Sequence, residues 1–288
     1  MKISPLHIEF GAEIHDINLS QGLDGNLFAH IDEAINKYSV LLFRGQSLDD
    51  DSHLELTARF GTPEEEHVSY YSTGTIRYTG VIGNIDPDGK HLKNAARKVV
   101  SQTANNLWHS DSSFREIPSL HSLLYAYEVP DEGGDTEFVS ARAAYQRLST
   151  EEKNQIHNAV GIHDYIYSRT SVSEDAVSEG QRNYMRPVRQ RLVRRNPQTN
   201  ELNYFVGSHV RSIEGMEDDA ATRLINRLMS EATRSESVFR HQWQAGDLVI
   251  WDNRCVLHRG CGYDADRYRR RLHQTRVRGT GPSLAEVV

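Results

Sequence analysis

Residues 245–260 read AGDLVIWDNRCVLHRG. The run Asp247–Trp251 is short, apolar and rich in branched and aromatic residues, as a buried strand is. SVLLFRG at 39–45 has the same character and ends in glycine. Working outward from these two, period-two and apolar runs predict further strands at Thr79–Ile85, Ser119–Glu128, Thr136–Ser140, Val160–Tyr167, Val188–Arg194, Asn203–Val206, Ser237–Trp243 and Arg271–Val277. Ile3–Ile14 reads as extended chain broken at Gly11. Helical spacing appears in Leu23–Tyr38, where Leu27, Ile31, Ala34 and Ile35 share a face, and in Asp49 to about Arg59, whose aspartates suit a first turn. It appears again in Ala141–Ala159, with a break near Ser149, and in Glu217–Thr233. Many short strands with few helices predict a mainly β fold with flanking helices, a β-barrel or a double-sheet jelly roll.

The chain has 288 residues, 38% hydrophobic and 25% charged, an ordinary globular composition that allows a large core. It carries no repeat, low-complexity tract or Pro/Gly-rich linker, so residues 1–288 are expected to form one domain. The polar, aperiodic segment around 168–186 exceeds most connections and reads as a lid insertion or a mobile loop. A formal charge of −7 argues against nucleic-acid partners, although a local basic pocket for a small anion fits within it. Cys255 and Cys261 are too few and too close for a disulfide framework. No run approaches the roughly 18 apolar residues of a membrane span. The start MKISPLHIEFGAEI lacks a signal peptide's basic and apolar regions. A cytoplasmic protein acting on a small molecule is expected, with homo-oligomerisation left open.

Chemistry concentrates in NLWHSDSSF at 106–114. In extended chain or at a strand end, alternation puts His109 and Asp111 on one face. Imidazole plus carboxylate suits a divalent ion such as iron(II), and an i, i+2 pair forms one edge of a facial triad. His258, after the Asp247–Trp251 strand, is the candidate third ligand, which leaves three positions open on the ion. A blander account is available, because His-x-Asp also arises by chance among 14 histidines and strand-end histidines often only hydrogen-bond. Trp108 and Trp251 read as core aromatics.

LWHSDSSF (107–114), VPDEGGDTEF (129–138) and AGDLVIWDNRCVLHRG (245–260), with SVLLFRGQ (39–46) and ARFGTPE (58–64), resemble the TauD/TfdA family of taurine and 2,4-dichlorophenoxyacetate dioxygenases. The likeness runs over nearly the whole chain. GGDTEF, RAAY (142–145) and WDNRCVLHRG bring it nearer the aryloxyalkanoate branch. This resemblance implies a double-stranded β-helix (jelly roll, cupin-like). It also implies an oxidoreductase using Fe(II), 2-oxoglutarate and O2, with His109, Asp111 and His258 as the metal ligands. The co-substrate is split to succinate and carbon dioxide while the substrate is hydroxylated; hydroxylation beside an ether oxygen cleaves the ether.

By the same resemblance, 2-oxoglutarate is held by a threonine in the GGDTEF strand, Thr136, and by an arginine beyond the last histidine. Arginine's planar fork suits a carboxylate better than lysine does. Arg270-Arg271-Leu272 fits the family's Arg-x-Leu/Met pattern, so Arg270 is expected in that role and Arg269 is second choice. Alternation puts Leu272 and Gln274 on the face of Arg270 and turns Arg271 outward. Sulfonate-binding relatives carry an arginine where this chain has Gln274, which argues against taurine. Arg276 is a candidate replacement. His67, Tyr70, Asn105, Asn106 and His209 are the other substrate-binding candidates, each equally a loop hydrogen-bonder. Two rivals stand beside an aryloxyalkanoate oxygenase: the same chemistry (hydroxylation or desaturation) on a secondary-metabolite intermediate, and a non-catalytic jelly-roll binding protein.

Overall fold

The apolar runs at 40–43 and 248–251 are continuous because both faces of each strand are covered. The computed structural model describes residues 1–66, 76–86, 88–94 and 97–288, with Arg97 and Lys98 as backbone only. In chain order the strands are β1 (Lys2–Pro5), β2 (Ala12–His15), β3 (Val40–Phe43), β4 (Gly80–Gly83), β5 (Ser119–Glu128), β6 (Thr136–Ser140), β7 (Val160–His163), β8 (Val188–Arg191), β9 (Val193–Arg195), β10 (Leu202–Tyr204), β11 (Val210–Ile213), β12 (Phe239–His241), β13 (Leu248–Asp252), β14 (Val256–Gly260) and β15 (Arg271–Arg278). The helices are α1 (Gly25–Tyr38), α2 (Asp50–Phe60), α3 (Arg97–Gln102), α4 (Ala141–Arg147), α5 (Thr150–Ile156), α6 (Tyr165–Thr170), α7 (Glu179–Tyr184) and α8 (Asp218–Ala232).

A seven-stranded sheet has the order β1-β2-β3-β13-β5-β15-β4, and a three-stranded sheet the order β12-β6-β14. On β3, β5 and β13, one set of alternating residues (Leu41, Phe43, Leu123, Tyr125, Leu248, Ile250) packs against Ile31, Ala34 and Ile35 of α1 and Leu56 of α2. The other set (Val40, Leu42, Leu124, Ala126, Val249, Trp251) meets Phe138 and Val256 of the smaller sheet. The smaller sheet turns Val139 and Leu257 the other way, onto Ala144 of α4 and Leu224 and Leu228 of α8. The result is a helix–sheet–sheet–helix sandwich, and the space between the sheets is where the polar candidates converge.

The helix ends follow local chemistry. Asp24 accepts from the Leu27 backbone N–H at 2.7 Å and starts α1, and Asp49 with Ser52 forms a capping box on α2. Ser149 and Glu152 form another capping box, which is why α4 and α5 are separate helices. Ser119–Glu128 and Thr136–Ser140 are strands over the predicted spans. The predicted strand Val160–Tyr167 stops at His163, because the Asp164 side chain accepts from the Tyr167 N–H and caps α6. Val188–Arg194 is divided at Leu192: β8 pairs with β7, whereas β9 pairs with β10. Val256–Gly260, read only as chain following a strand, is β14 itself. The polar 168–186 segment is ordered into α7 and a short turn of helix at Glu174–Ala176, capped by Ser178 and Ser173.

His163 is buried against Phe205, ring centroids 5.3 Å apart, and neither ring nitrogen has a partner among the described residues. Burial, aided by the Arg194 charge, pushes its pKa down to about 3 from 6.5. The unfolded chain then binds the extra proton first, so stability is full above about pH 6.5 and falls as the pH drops toward 3. Replacing His163 with Phe should flatten this acid-side slope in urea titrations at pH 7, 6 and 5. An unchanged slope would contradict the assignment.

Candidate metal centre

His109 and His258 meet as a backbone bridge. The His109 N–H donates to the His258 carbonyl at 3.0 Å and the His258 N–H to the His109 carbonyl at 2.9 Å. The rings follow, with centroids 4.3 Å apart. His258 itself is fixed in β14 opposite Phe138 of β6, and its ring lies 4.7 Å from that of Trp251. From Asp111 onward the chain turns. Ser112 takes a left-handed φ of 50°, the Ser110 hydroxyl donates to the Asn253 carbonyl at 2.5 Å, and the Asp111 N–H donates to Asn253 Oδ1 at 3.2 Å. His109 thus sits in a bridge at a strand end, and the turn that follows begins at Asp111.

Three ligand atoms, one each from His109, Asp111 and His258, lie within 4.8 Å of one another. Asp111 Oδ1 is 3.7 Å from Nε2 of both histidines. That is too long for a hydrogen bond. It matches two donors sharing one ion, since bonds of about 2.1 Å put neighbouring ligand atoms roughly 3–4 Å apart. His109 Nδ1 donates to the Leu107 carbonyl at 2.7 Å, which fixes the tautomer and leaves Nε2 with its lone pair inward. Burial and the neighbouring His109 push His258 down to about 3, and burial likewise lowers His109, so both imidazoles are neutral ligands near pH 7. Burial works against the Asp111 carboxylate, yet His258, His109, Arg276 and the Ser122 hydroxyl together hold its carboxyl below the usual range. An anionic oxygen and two nitrogen lone pairs facing one another in a buried site, unbridged by hydrogen bonds, suit a divalent cation with oxygen and nitrogen ligands.

A cavity of about 130 Å³ is lined by these three residues together with Thr136 and Arg270. Arg270 is buried, and its Nη2 reaches only the Gly134 carbonyl, at 3.2 Å. Its Nε has no partner, and no carboxylate pairs with it among the described residues. Burial depresses this guanidinium, a cost that an anionic ligand relieves. Arg269, by contrast, is exposed and paired with Glu128 at 2.8 Å. Thr136 Oγ1 accepts from Trp243 Nε1 at 2.9 Å. Indole only donates, so the threonine proton stays available for an acceptor in the cavity. Gly133 and Gly134 adopt φ of 74° and 72° beside this corner. A Cβ on Gly133 would come within 2.6 Å of the Gly262 carbonyl, which explains the double glycine.

Asn105 and Asn106 line the same cavity, and Arg169 Nη1 donates to Asn105 Oδ1 at 2.8 Å. His209 is buried next to the centre, its ring 5.9 Å from that of His109 and its Nδ1 3.1 Å from the Ser113 hydroxyl. It does not line the cavity. Neither does Arg276, which is paired with Glu64 at 3.2 Å and Glu66 at 3.3 Å. His67 and Tyr70 lie outside the described residues. Sequence reasoning missed Ser122, a polar group on the β5 face turned toward the inter-sheet space, and Trp243, which follows β12. An Asp111→Ala variant should lose at least about tenfold in affinity for Fe(II) or Co(II), measured by chelator competition. Wild-type affinity in that variant would remove the metal assignment.

Against known proteins, residues 2–276 match the model of the taurine catabolism dioxygenase TauD, TfdA family. The chain is 39% identical, over 91% of its length and 92% of the relative's, to the alpha-ketoglutarate-dependent 2,4-dichlorophenoxyacetate dioxygenase of Cupriavidus pinatubonensis. It is 29% identical to the (S)-phenoxypropionate/alpha-ketoglutarate-dioxygenase of Delftia acidovorans, over 92% of this chain and 90% of that one. Among solved structures, AAD-2 in complex with Mn(II) and N-oxalylglycine superposes with a TM-score of 0.89 at 34% identity, covering 98% of this chain and all of the other.

Proposed function

We propose that this chain, which belongs to the TauD, TfdA family and is an iron(II)- and 2-oxoglutarate-dependent dioxygenase, hydroxylates an aryloxyalkanoate and thereby cleaves its ether. The substrate class rests on relatives that act on 2,4-dichlorophenoxyacetate and (S)-phenoxypropionate. The observation that carries the reaction is one cavity lined both by the His109–Asp111–His258 donors and by Thr136 and a buried Arg270 that has no carboxylate partner among the described residues. We assign the first set to iron and the second to the distal carboxylate of 2-oxoglutarate. Bound there, iron(II) with 2-oxoglutarate and oxygen supplies the oxidation that inserts one oxygen atom into a substrate C–H bond and the other into succinate, releasing carbon dioxide.

The chain's own contribution is placement. Arg270 offers a bidentate fork and Thr136 a hydroxyl donor, which orient an anion entering between the sheets. Trp251 and Phe138 wall the histidine side with apolar surface and exclude water. We read the sandwich as the family's double-stranded β-helix, residues 1–288 as one oxygenase domain, and residues 168–186 as its lid. The hydrogen bond from Ser101 to the Ala176 carbonyl and that from Arg169 to Asn105 tie this segment to the cavity wall. We place the enzyme in the cytoplasm; among the described residues no helix is long and apolar enough to cross a membrane.

The direct test is succinate released from 2-oxoglutarate with iron(II), ascorbate and oxygen. Addition of phenoxyacetates should raise it severalfold with stoichiometric phenol. Release that stays flat across aryloxyalkanoates, but rises with another acid, would redirect the substrate; no release with any acid would favour a binding protein. Arg270→Ala should raise the KM for 2-oxoglutarate by about one to two orders of magnitude, the loss of a charged hydrogen-bond pair. Arg269→Ala should change it less than twofold, and the reverse ranking would move the anchor.

A further inference from the structure

We infer that Gln274 is a positioning residue for the metal-binding carboxylate, and that Arg276 serves it by fixing the direction of its amide. The inference rests on the metal assignment proposed above for His109, Asp111 and His258. Asp111 presents Oδ1 to the two imidazoles at 3.7 Å and keeps Oδ2 turned away from them. Oδ2 accepts two hydrogen bonds, from the Ser122 hydroxyl at 2.7 Å and from Gln274 Nε2 at 2.7 Å. Ser122 Oγ is itself approached by Asn253 Nδ2 at 2.8 Å, which takes a lone pair and directs the hydroxyl proton to Asp111.

The glutamine amide has two ways to point, and its other neighbour decides between them. Arg276 Nη1 lies 2.9 Å from Gln274 Oε1. Guanidinium has donors and no acceptor, so it must face the amide oxygen. The NH2 group is thereby turned to Asp111. Arg276 cannot swing away cheaply, because its Nε and Nη2 are held by Glu64 at 3.2 Å and Glu66 at 3.3 Å. Glu64 is buried and also accepts from Ser112 and Ser119, each at 2.6 Å. A fixed chain thus runs from Glu64 through Arg276 and Gln274 to the carboxylate, and it restricts Asp111 to binding through one oxygen.

This assignment competes with the expectation that Arg276 clamps the substrate's anion. Three of its nitrogens are already committed, to Gln274, Glu64 and Glu66, and it does not line the cavity. Gln274 does line it, but its amide is divided between Asp111 and Arg276.

The test is the affinity of the full-length protein for Fe(II) and Co(II), by anaerobic chelator competition, followed by steady-state kinetics. Gln274→Leu and the milder Gln274→Asn, which withdraws the NH2 by one methylene, should each weaken metal binding, the first by about 10- to 100-fold. Arg276→Ala should weaken it in the same direction by a smaller factor, with the KM for 2-oxoglutarate within twofold of wild type in all three. Far-UV spectra and thermal midpoints of the apo proteins identify a variant that has lost its fold, and Gln274→Asn then carries the measurement. Unchanged metal affinity with a raised KM for the organic acid would overturn the inference and return both residues to the substrate. A wild-type chain with no affinity for Fe(II) would overturn the metal site itself, visible before any variant is made. Failure to oxidise aryloxyalkanoates leaves metal affinity as an independent readout.

Discussion

Two backbone hydrogen bonds between His109 and His258, at 3.0 and 2.9 Å, are the constraint on which the site depends. They join segments 149 positions apart in sequence, so main-chain geometry sets the two histidines side by side before any side chain chooses a rotamer. The smaller sheet holds His258 through β6, and the same strand begins with Thr136. One ladder therefore indexes both the metal donors and the corner that faces Arg270. The covering layers follow from this: an inter-sheet space that receives polar groups must be sealed from outside, and α1, α2, α4 and α8 do so with apolar faces.

Electrostatics within that space is arranged by pairing some charges and leaving others unpaired. Arg276 is neutralised by Glu64 and Glu66, and Arg254 by Asp252 at 2.7 Å. Among the described residues Arg270 has no carboxylate partner, while Asp111 faces two neutral imidazoles. Unpaired buried charges of opposite sign in one cavity are expensive in the ligand-free protein. Such an arrangement suits a site that receives a cation and an anion together.

Much of this was legible in the sequence because it depends on local patterns. Alternation in Ser119–Glu128, the apolar helical spacing of Leu27, Ile31, Ala34 and Ile35, and the aspartates that open the helix after residue 49 act within a few residues, so their structural consequences can be read directly. The His-x-Asp motif singled out two of the three clustered donors, one of them in a bridge at a strand end. What it did not reveal is the turn that begins at Asp111, whose N–H donates to Asn253, 142 residues away. The capped helix after Asp164 was obscured by aromatic residues that have strand propensity at Tyr165 and Tyr167, overridden by a side-chain cap. Gln274 was predicted to face the pocket, yet its partner Asp111 is 163 residues away and only the fold brings them together. The substrate candidates were the least legible, since a polar loop residue and a ligand-binding one have the same signature.

The bridge between the two histidines has a consequence for metallation. Because β-sheet pairing, and not the ion, holds two of the three donors together, the pocket is shaped before any metal arrives. A preformed cluster of two neutral imidazoles and one carboxylate accepts most first-row divalent ions, with affinity rising from manganese toward copper. Selection of iron then falls to the cell's supply of exchangeable metal and to the order in which the chain encounters it. Protein produced in a zinc- or nickel-rich medium would fold normally and yet carry an ion unable to activate oxygen.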